Sequence, residues 1–275
     1  MDKPVYALID GIHKVLLGRP ADERSLEHWS SVLAHDQGGI AELISLLLKS
    51  DEFADKIGVF CKKHLESPPF LLEKSQNQEI KKLFDLVLSD QIKHKIIVDV
   101  GANGAQGSNS YDLMRYFSWQ GILIEANPRL SSRINEDFAG LNYTLVTTAV
   151  SNFAGHTNLF LGVSDGISSM HENNTSYWGK VNETIEVAVR RLPDILEEHT
   201  IPRDFGLLSI DAEGEDIKIL NDTIQSGYRP QWILFEAYLP QQLTSLDGLN
   251  LAEVVKENYA FVGATHSNIF LKQKI

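Results

Sequence analysis

The chain has 275 residues, 43% of them hydrophobic and 23% charged, with a single cysteine. This composition excludes disordered, collagenous and disulfide-stapled classes and describes a globular chain long enough to bury its own core. Its 25 basic and 37 acidic residues leave a net charge of −12, which repels a phosphate backbone and argues against general nucleic-acid binding.

The start, Met1-Asp2-Lys3-Pro4-Val5-Tyr6, runs into an amphipathic pattern rather than an apolar leader. No apolar run approaches the roughly 20 residues of a membrane span, and lone Cys61 fits a reducing compartment. The expectation is a cytoplasmic protein with no membrane span.

Helical periodicity comes first. Val5, Leu8, Ile9, Ile12, Val15 and Leu16 form one stripe, Leu26, Trp29, Val32 and Leu33 a second, and Ile40, Leu43, Ile44, Leu47 and Leu48 a third. Gly18-Arg19-Pro20-Ala21-Asp22 and Asp36-Gln37-Gly38-Gly39 separate them with helix-ending and helix-starting chemistry. Local physics reads a small helical bundle with Trp29 in its core and Arg19 and Asp22 as a surface pair or cap. Ser67-Pro68-Pro69 reads as a linker, which sets domains at 1–67 and 68–275. A helix carrying Ile80, Leu83, Phe84, Val87 and Leu88 on one face then leads into the second domain.

From Lys95 the period changes. Ile96–Val100, Gly121–Glu125, Tyr143–Val150, Gly206–Asp211 and Trp232–Glu236 are short apolar runs, as expected of parallel strands buried on both faces. Helical stretches around 109–119, 128–138, 191–199, 214–226 and 249–258 alternate with them, the pattern of a doubly wound α/β sheet. Tyr259–Thr265 and Asn268–Lys272 lie too close for a crossover and read as an antiparallel hairpin. Between the third and fourth core strands, Thr157–Gly162 and Glu183–Arg190 read as extra strands. Val163–Lys180, rich in Ser, Asn, Gly and His, reads as a long lid-like loop.

Open α/β sheets bind ligands at the carboxyl ends of their strands. Here those ends carry Asp99-Val100-Gly101-Ala102-Asn103-Gly104, Glu125-Ala126-Asn127, Ala149-Val150, Asp211 with Glu213, and Glu236. Acids at four tips imply a cationic or polyhydroxylated ligand. The first turn lacks the middle glycine of a dinucleotide fingerprint, and Asp99 directly precedes it. An acid there suits an amine and a sulfonium better than a diphosphate. Glu125 is placed to accept both hydroxyls of a ribose.

Two resemblances follow from these residues. Tyr6, Leu17-Gly18-Arg19, Asp22, Trp29, Leu33 and Ser50-Asp51-Glu52-Phe53 resemble a bacterial helical family of unknown function that accompanies glycosyltransferases and methyltransferases. This leaves the first domain as the candidate binder of a protein or glycan partner. Asp99-Val-Gly-Ala-Asn-Gly104, Glu125-Ala-Asn-Pro128, Ala149-Val-Ser151 and Ile210-Asp-Ala-Glu-Gly-Glu215 resemble the FkbM family of S-adenosylmethionine-dependent O-methyltransferases, from about Lys95 to Lys272. The family implies a class I methyltransferase sheet of seven strands with an antiparallel last strand, and methyl transfer to a hydroxyl of a sugar, glycan or related natural product. Ala126 stands where the family commonly has proline, and Arg190-Arg191-Leu192-Pro193 departs from its pattern on the acceptor side.

The resemblance implies that Asp99, Gly101, Ala102, Asn103 and Gly104 hold the methionine moiety. Glu125, with Ala126 and Asn127, would take the ribose, and Ala149 and Val150 would flank the adenine. Asp211, Glu213 and Glu236 are the candidate bases, or two of them hold Mg²⁺. Glu213 and Glu215 also fit simple service to a helix N-terminus. His171 and His266 are further candidate bases, Tyr177 and Trp178 could stack on a sugar, and Arg190 and Arg191 could bind an anion. The competing functions are a nicotinamide-dependent oxidoreductase and a non-catalytic cofactor-binding module.

Overall fold

The computed structural model describes residues 3–34, 39–48, 50, 52–53, 75, 79, 82–83, 87, 90–163, 166–237, 243 and 245–274. The chain divides into two compact units, Met1–Leu72 and Glu73–Ile275. Cys61, the expected linker at Ser67-Pro68-Pro69, and Ile80, Phe84 and Leu88 lie outside the described residues. No helix among the described residues is long and apolar enough to cross a membrane.

The first unit contains helices Lys3–Leu17, Glu23–Leu33 and Gly39–Leu48. Ile9, Trp29 and Leu43, one from each stripe, form their shared core. Gly18 ends the first helix in the left-handed region, φ 61°, its N–H donating to the Lys14 carbonyl. Asp22 caps the second helix by accepting from the Ser25 N–H at 2.8 Å. Arg19 lies 4.0 Å from Asp22 as a surface pair and also makes a two-pronged pair with Glu52, Nε–Oε1 2.6 Å and Nη2–Oε2 2.7 Å. The first stripe is not wholly core, because Val15 is 83% exposed.

The second unit is built on a sheet of seven strands ordered β10-β11-β9-β8-β1-β2-β3. Its parallel members are β1 Ile96–Val100, β2 Gln120–Glu125, β3 Tyr143–Thr147, β8 Leu207–Ile210 and β9 Trp232–Glu236. The hairpin β10 Tyr259–Ala264 and β11 Asn268–Gln273 closes one edge, with β11 antiparallel to β9. Alternate residues of each strand enter two cores. Val98, Ile122, Leu208 and Phe235 face one side, whereas Ile97, Leu123, Leu207, Leu234 and Phe270 face the other together with Leu83 and Val87. Burial on both faces is why these strands read as unbroken apolar runs.

Two expectations are corrected. The run Tyr143–Val150 is not one strand: β3 ends at Thr147, where its partner β2 ends, and β4 Ala149–Ser151 joins a second sheet. That sheet, ordered β4-β7-β5-β6, contains β5 Gly155–Gly162, β6 Ser168–Ser169 and β7 Val181–Arg191. The segment expected as loop from Val163 to Lys180 holds β6 and a helix, Glu172–Trp178. Its polar composition hides that helix, which docks through buried Thr175, whose hydroxyl donates to the Phe160 carbonyl at 3.1 Å.

Candidate active site at the strand tips

Three strand ends abut where β1 turns. The N–H groups of Gly101 and Ala102 both donate to the Ile124 carbonyl, and the Asp211 N–H donates to the Val100 carbonyl. Gly101 has φ 86°, and a Cβ there would lie 1.9 Å from the Asp211 carbonyl oxygen, so only glycine lets these backbones meet. Asn103 follows at φ 43°, a conformation asparagine tolerates better than most residues.

The turn opens a cleft of about 900 Å³, open solvent at its mouth included. Asp99, Gly101, Ala102, Asn103, Glu125, Ala126, Ala149, Val150, Asp211 and Glu213 line it. Gly104, Asn127 and Glu236 do not. Gly104 faces Asp137 and Arg133. Asn127 is fully buried and its Oδ1 accepts from the Arg129 N–H, capping the short 3₁₀ turn Pro128–Leu130. Ser108, Asn109, Leu159 and Met170 also line the cleft and had no role from sequence. Proximity to the turn could have suggested Ser108 and Asn109; Leu159 and Met170 belong to the insertion and carry no local signal.

Buried Glu125 is gripped by the backbone. Its Oε1 accepts from the Asn127 N–H at 2.7 Å and its Oε2 from the Asn103 N–H at 3.0 Å. Burial raises its carboxyl pKa, and these N–H bonds oppose the rise. Asp99 beneath it is also raised by burial, against hydrogen bonds from the Ser110 and Ser209 hydroxyls. Nearby, the Asn103 Oδ1 is buried and has no hydrogen-bond donor.

An acidic group lies at and beyond the ends of β8 and β9. One carboxylate oxygen from each of Asp211, Glu213 and Glu236 lies within 4.8 Å of the others. Asp211 is raised well above the ordinary aspartate value by burial and then by the charge of Glu236. Burial lifts Glu213 to about 7, with Asp216 adding to it, and lifts Glu236 to about 7, with Glu213 adding to it.

Asp216 organises this loop. Its Oδ1 accepts from the Ala212 N–H and its Oδ2 from the Gly214 N–H, both at 3.2 Å, which holds the intervening Glu213 at φ 48°. Burial raises Asp216 to about 6 despite those bonds.

Glu215 makes no capping bond to its helix. It is buried, and its carboxylate accepts from the Ser151 hydroxyl and the Lys218 ammonium and lies 2.7 Å from His171 Nε2. Burial pushes Glu215 up, but the bonds from Lys218, Ser151 and His171 bring it below its ordinary value. The Ser169 hydroxyl and the Asn174 amide both donate to the Glu213 carbonyl, at 2.8 and 2.7 Å. The insertion is thus fastened to the loop that carries Asp211 and Glu213, and His171 serves that fastening. His266 is exposed, and Tyr177 is largely exposed and does not line the cleft. Arg190 pairs with Glu198 and Arg191 with Asp222, and neither lines the cleft.

An α/β sheet of this order, with its cleft across the tips of β1, β2 and β8, defines the class I methyltransferase fold. The methyltransferase FkbM domain family matches residues 99–255, and the chain belongs to that family. No curated protein matches the chain. Among solved structures, the SAH-bound methyltransferase PaMTH1 of Podospora anserina is 14% identical with a TM-score of 0.40, covering 82% of this chain and 97% of its own. A structure described as "a putative O-methyltransferase from Klebsiella pneumoniae" is 14% identical with a TM-score of 0.40, covering 90% of this chain and 99% of its own.

Proposed function

We propose that this methyltransferase moves the methyl group of S-adenosylmethionine to a hydroxyl of a sugar, glycan or related natural product, in the cytoplasm. The observation that carries the cofactor assignment is the pairing of Glu125 with Asn103. Each Glu125 oxygen uses one lone pair on a backbone N–H and keeps capacity for a ribose hydroxyl. The donorless Asn103 Oδ1 in the same cleft suits a hydroxyl or amine of the cofactor, because a buried acceptor without a donor costs about 1–3 kcal/mol. The residues present therefore fit the group. Bound there, it supplies a carbon already activated by its sulfonium.

The chain's own task is alignment and handling of one proton. The turn from Asp99 to Asn103 and Glu125 fixes the cofactor side, and the insertion narrows the cleft through Ser168, Ser169 and Met170. Asp211 and Glu213 line the opposite part of the cleft with Glu236 behind them. Their burial and mutual repulsion favour uptake of the acceptor's proton near neutral pH. A hydroxyl acceptor fits this acid-lined side. The first unit is proposed to bind a protein or glycan partner.

Calorimetric titration with S-adenosylmethionine and S-adenosylhomocysteine tests the reading beside Glu125→Ala. Charge-assisted hydrogen bonds contribute about 1.5–3 kcal/mol, so the variant is expected to bind roughly ten- to a hundredfold more weakly. Absence of binding to both ligands by the unaltered protein would overturn the reading in favour of a non-catalytic module.

A further inference from the structure

The acids at the strand tips fall into two kinds. Asp99, Glu125, Glu215 and Asp216 all accept hydrogen bonds from the protein. Asp211, Glu213 and Glu236 differ: among the described residues, no side chain or backbone donor reaches their carboxylates. Three carboxylates without donors and within 4.8 Å of one another are a cost to the fold unless something positive joins them. The spacing indicates what. Oxygen ligands stand about 2.0–2.6 Å from a hard divalent cation, so ligands on opposite sides of it are separated by roughly 4–5 Å.

An independent observation points to the same place. Asn268 on β11 is the direct cross-strand partner of Glu236 on β9, and directly opposed residues project from one sheet face. Asn268 is only 6% exposed. Its Nδ2 donates to Glu79 Oε1 at 3.1 Å, while its Oδ1 is buried without any hydrogen-bond donor. An amide oxygen is a hard neutral ligand of the kind that completes a carboxylate set. Among the described residues no histidine or cysteine belongs to the group, which disfavours softer metals.

We propose that Asp211, Glu213, Glu236 and the amide oxygen of Asn268 form a binding site for one hard divalent cation of the Mg²⁺ or Mn²⁺ kind, beside the cleft. Binding of the ion stands on these side chains alone; its purpose rests on the methyl-transfer reading. With the ion bound, the carboxylates act as its ligands in place of taking up the acceptor's proton, and the ion would orient the acceptor oxygen and make its hydroxyl more acidic, its proton leaving to water.

The test titrates Mn²⁺ into the full chain, following loss of the free-ion paramagnetic signal, with Mg²⁺ as competitor and Glu236→Gln and Asn268→Ala in parallel. Neither variant alters a residue lining the cleft. The expected result is one Mn²⁺ per chain, displaced by Mg²⁺, weakened at least roughly tenfold in Glu236→Gln and about tenfold in Asn268→Ala. If Asn268→Ala folds poorly, Asn268→Asp keeps the shape, adds an anionic ligand and is expected to retain Mn²⁺. Failure to bind Mn²⁺, or equal binding by the unaltered chain and both variants, would overturn the site. S-adenosylhomocysteine titrations of the same samples separate the two ideas: cofactor bound without metal retains the methyltransferase reading and rejects the site, and metal bound without cofactor does the reverse.

Discussion

Asp99 is a buried acid in the lining of the cleft. It is 3% exposed and hydrogen-bonded by two hydroxyls, and burial raises its pKa above the ordinary aspartate value. A carboxyl raised in the folded state favours folding below its unfolded pKa, and that contribution is lost as pH rises through the folded value. Asp99→Asn keeps the shape and removes the buried charge. Its melting temperature is expected to exceed that of the unaltered protein at pH 7.5, with the difference vanishing towards pH 4. S-adenosylmethionine binding should weaken by roughly tenfold as the charged acceptor is lost. Equal melting curves at both pH values would show that Asp99 ionises at no cost in the fold. Asp216 is likewise raised by burial, to about 6, but its carboxylate also holds a loop. Asp216→Ala removes the acceptor shared by the N–H groups of half-buried Ala212 and exposed Gly214; the Gly214 N–H can turn to water, so the loss is about 1–3 kcal/mol in all. Urea unfolding should register a loss of about 2 kcal/mol, with Asp216→Asn recovering about half because its amide retains one acceptor oxygen.

At the scale of elements, the site depends on how closely three strand ends approach. Gly101→Ala places a Cβ against the Asp211 backbone, which cannot yield as a flexible side chain would, so loss of folding or of cofactor binding is expected. Gly140 also has positive φ, 77°, but has open space around it. Gly140→Ala should therefore cost only the left-handed backbone penalty, about 1–2 kcal/mol in chemical denaturation. The insertion gives a second element-scale prediction. Glu215→Ala leaves Lys218, His171 and Ser151 without their shared partner; Lys218 and His171 are half-exposed, so the loss comes mainly from the buried Ser151 hydroxyl and should be about 1–3 kcal/mol, whereas His171→Ala at the half-exposed end should cost under about 1 kcal/mol. Limited proteolysis within 163–180 should accelerate in the first variant far more than in the second. Sequence made the parallel strands legible because burial on both faces leaves unbroken apolar runs such as Ile96–Val100. It made the lining of the cleft legible because the residues that line it sit at or just past the ends of those runs, as Glu125 and Asn103 do. The insertion was less legible. Thr175 docks a helix through one hydroxyl, and Glu215 reads locally as a helix-terminus acid, yet its partners Ser151 and His171 lie 64 and 44 positions away. Contacts across such distances leave no trace in the local period of a chain.

The whole molecule separates chemistry from whatever its first unit does. Every residue lining the cleft, and the whole segment matched by the family, falls within Glu73–Ile275. The core that the first three helices share is small, centred on Ile9, Trp29 and Leu43. Burying one large apolar side chain contributes only about 1.5–3 kcal/mol, against a backbone ordering cost of about 1–2 kcal/mol for every residue fixed. The second unit has two extensive cores, one on each face of its sheet, and has the means to fold without help. A chain truncated to 73–275 is therefore expected to melt cooperatively and to bind S-adenosylhomocysteine within about twofold of the full-length protein, since no contact to the ligand is lost. Full-length protein and truncated chain should differ instead in turnover on polymeric acceptors, where a separate binding unit raises the local concentration of substrate. Turnover on a small sugar acceptor should be the same for both. If truncation weakens cofactor binding by tenfold or more, the first unit takes part in shaping the cleft, and assigning it to partner recognition is wrong. If affinity holds and polymer turnover falls, the helices act by bringing substrate to a site they do not build.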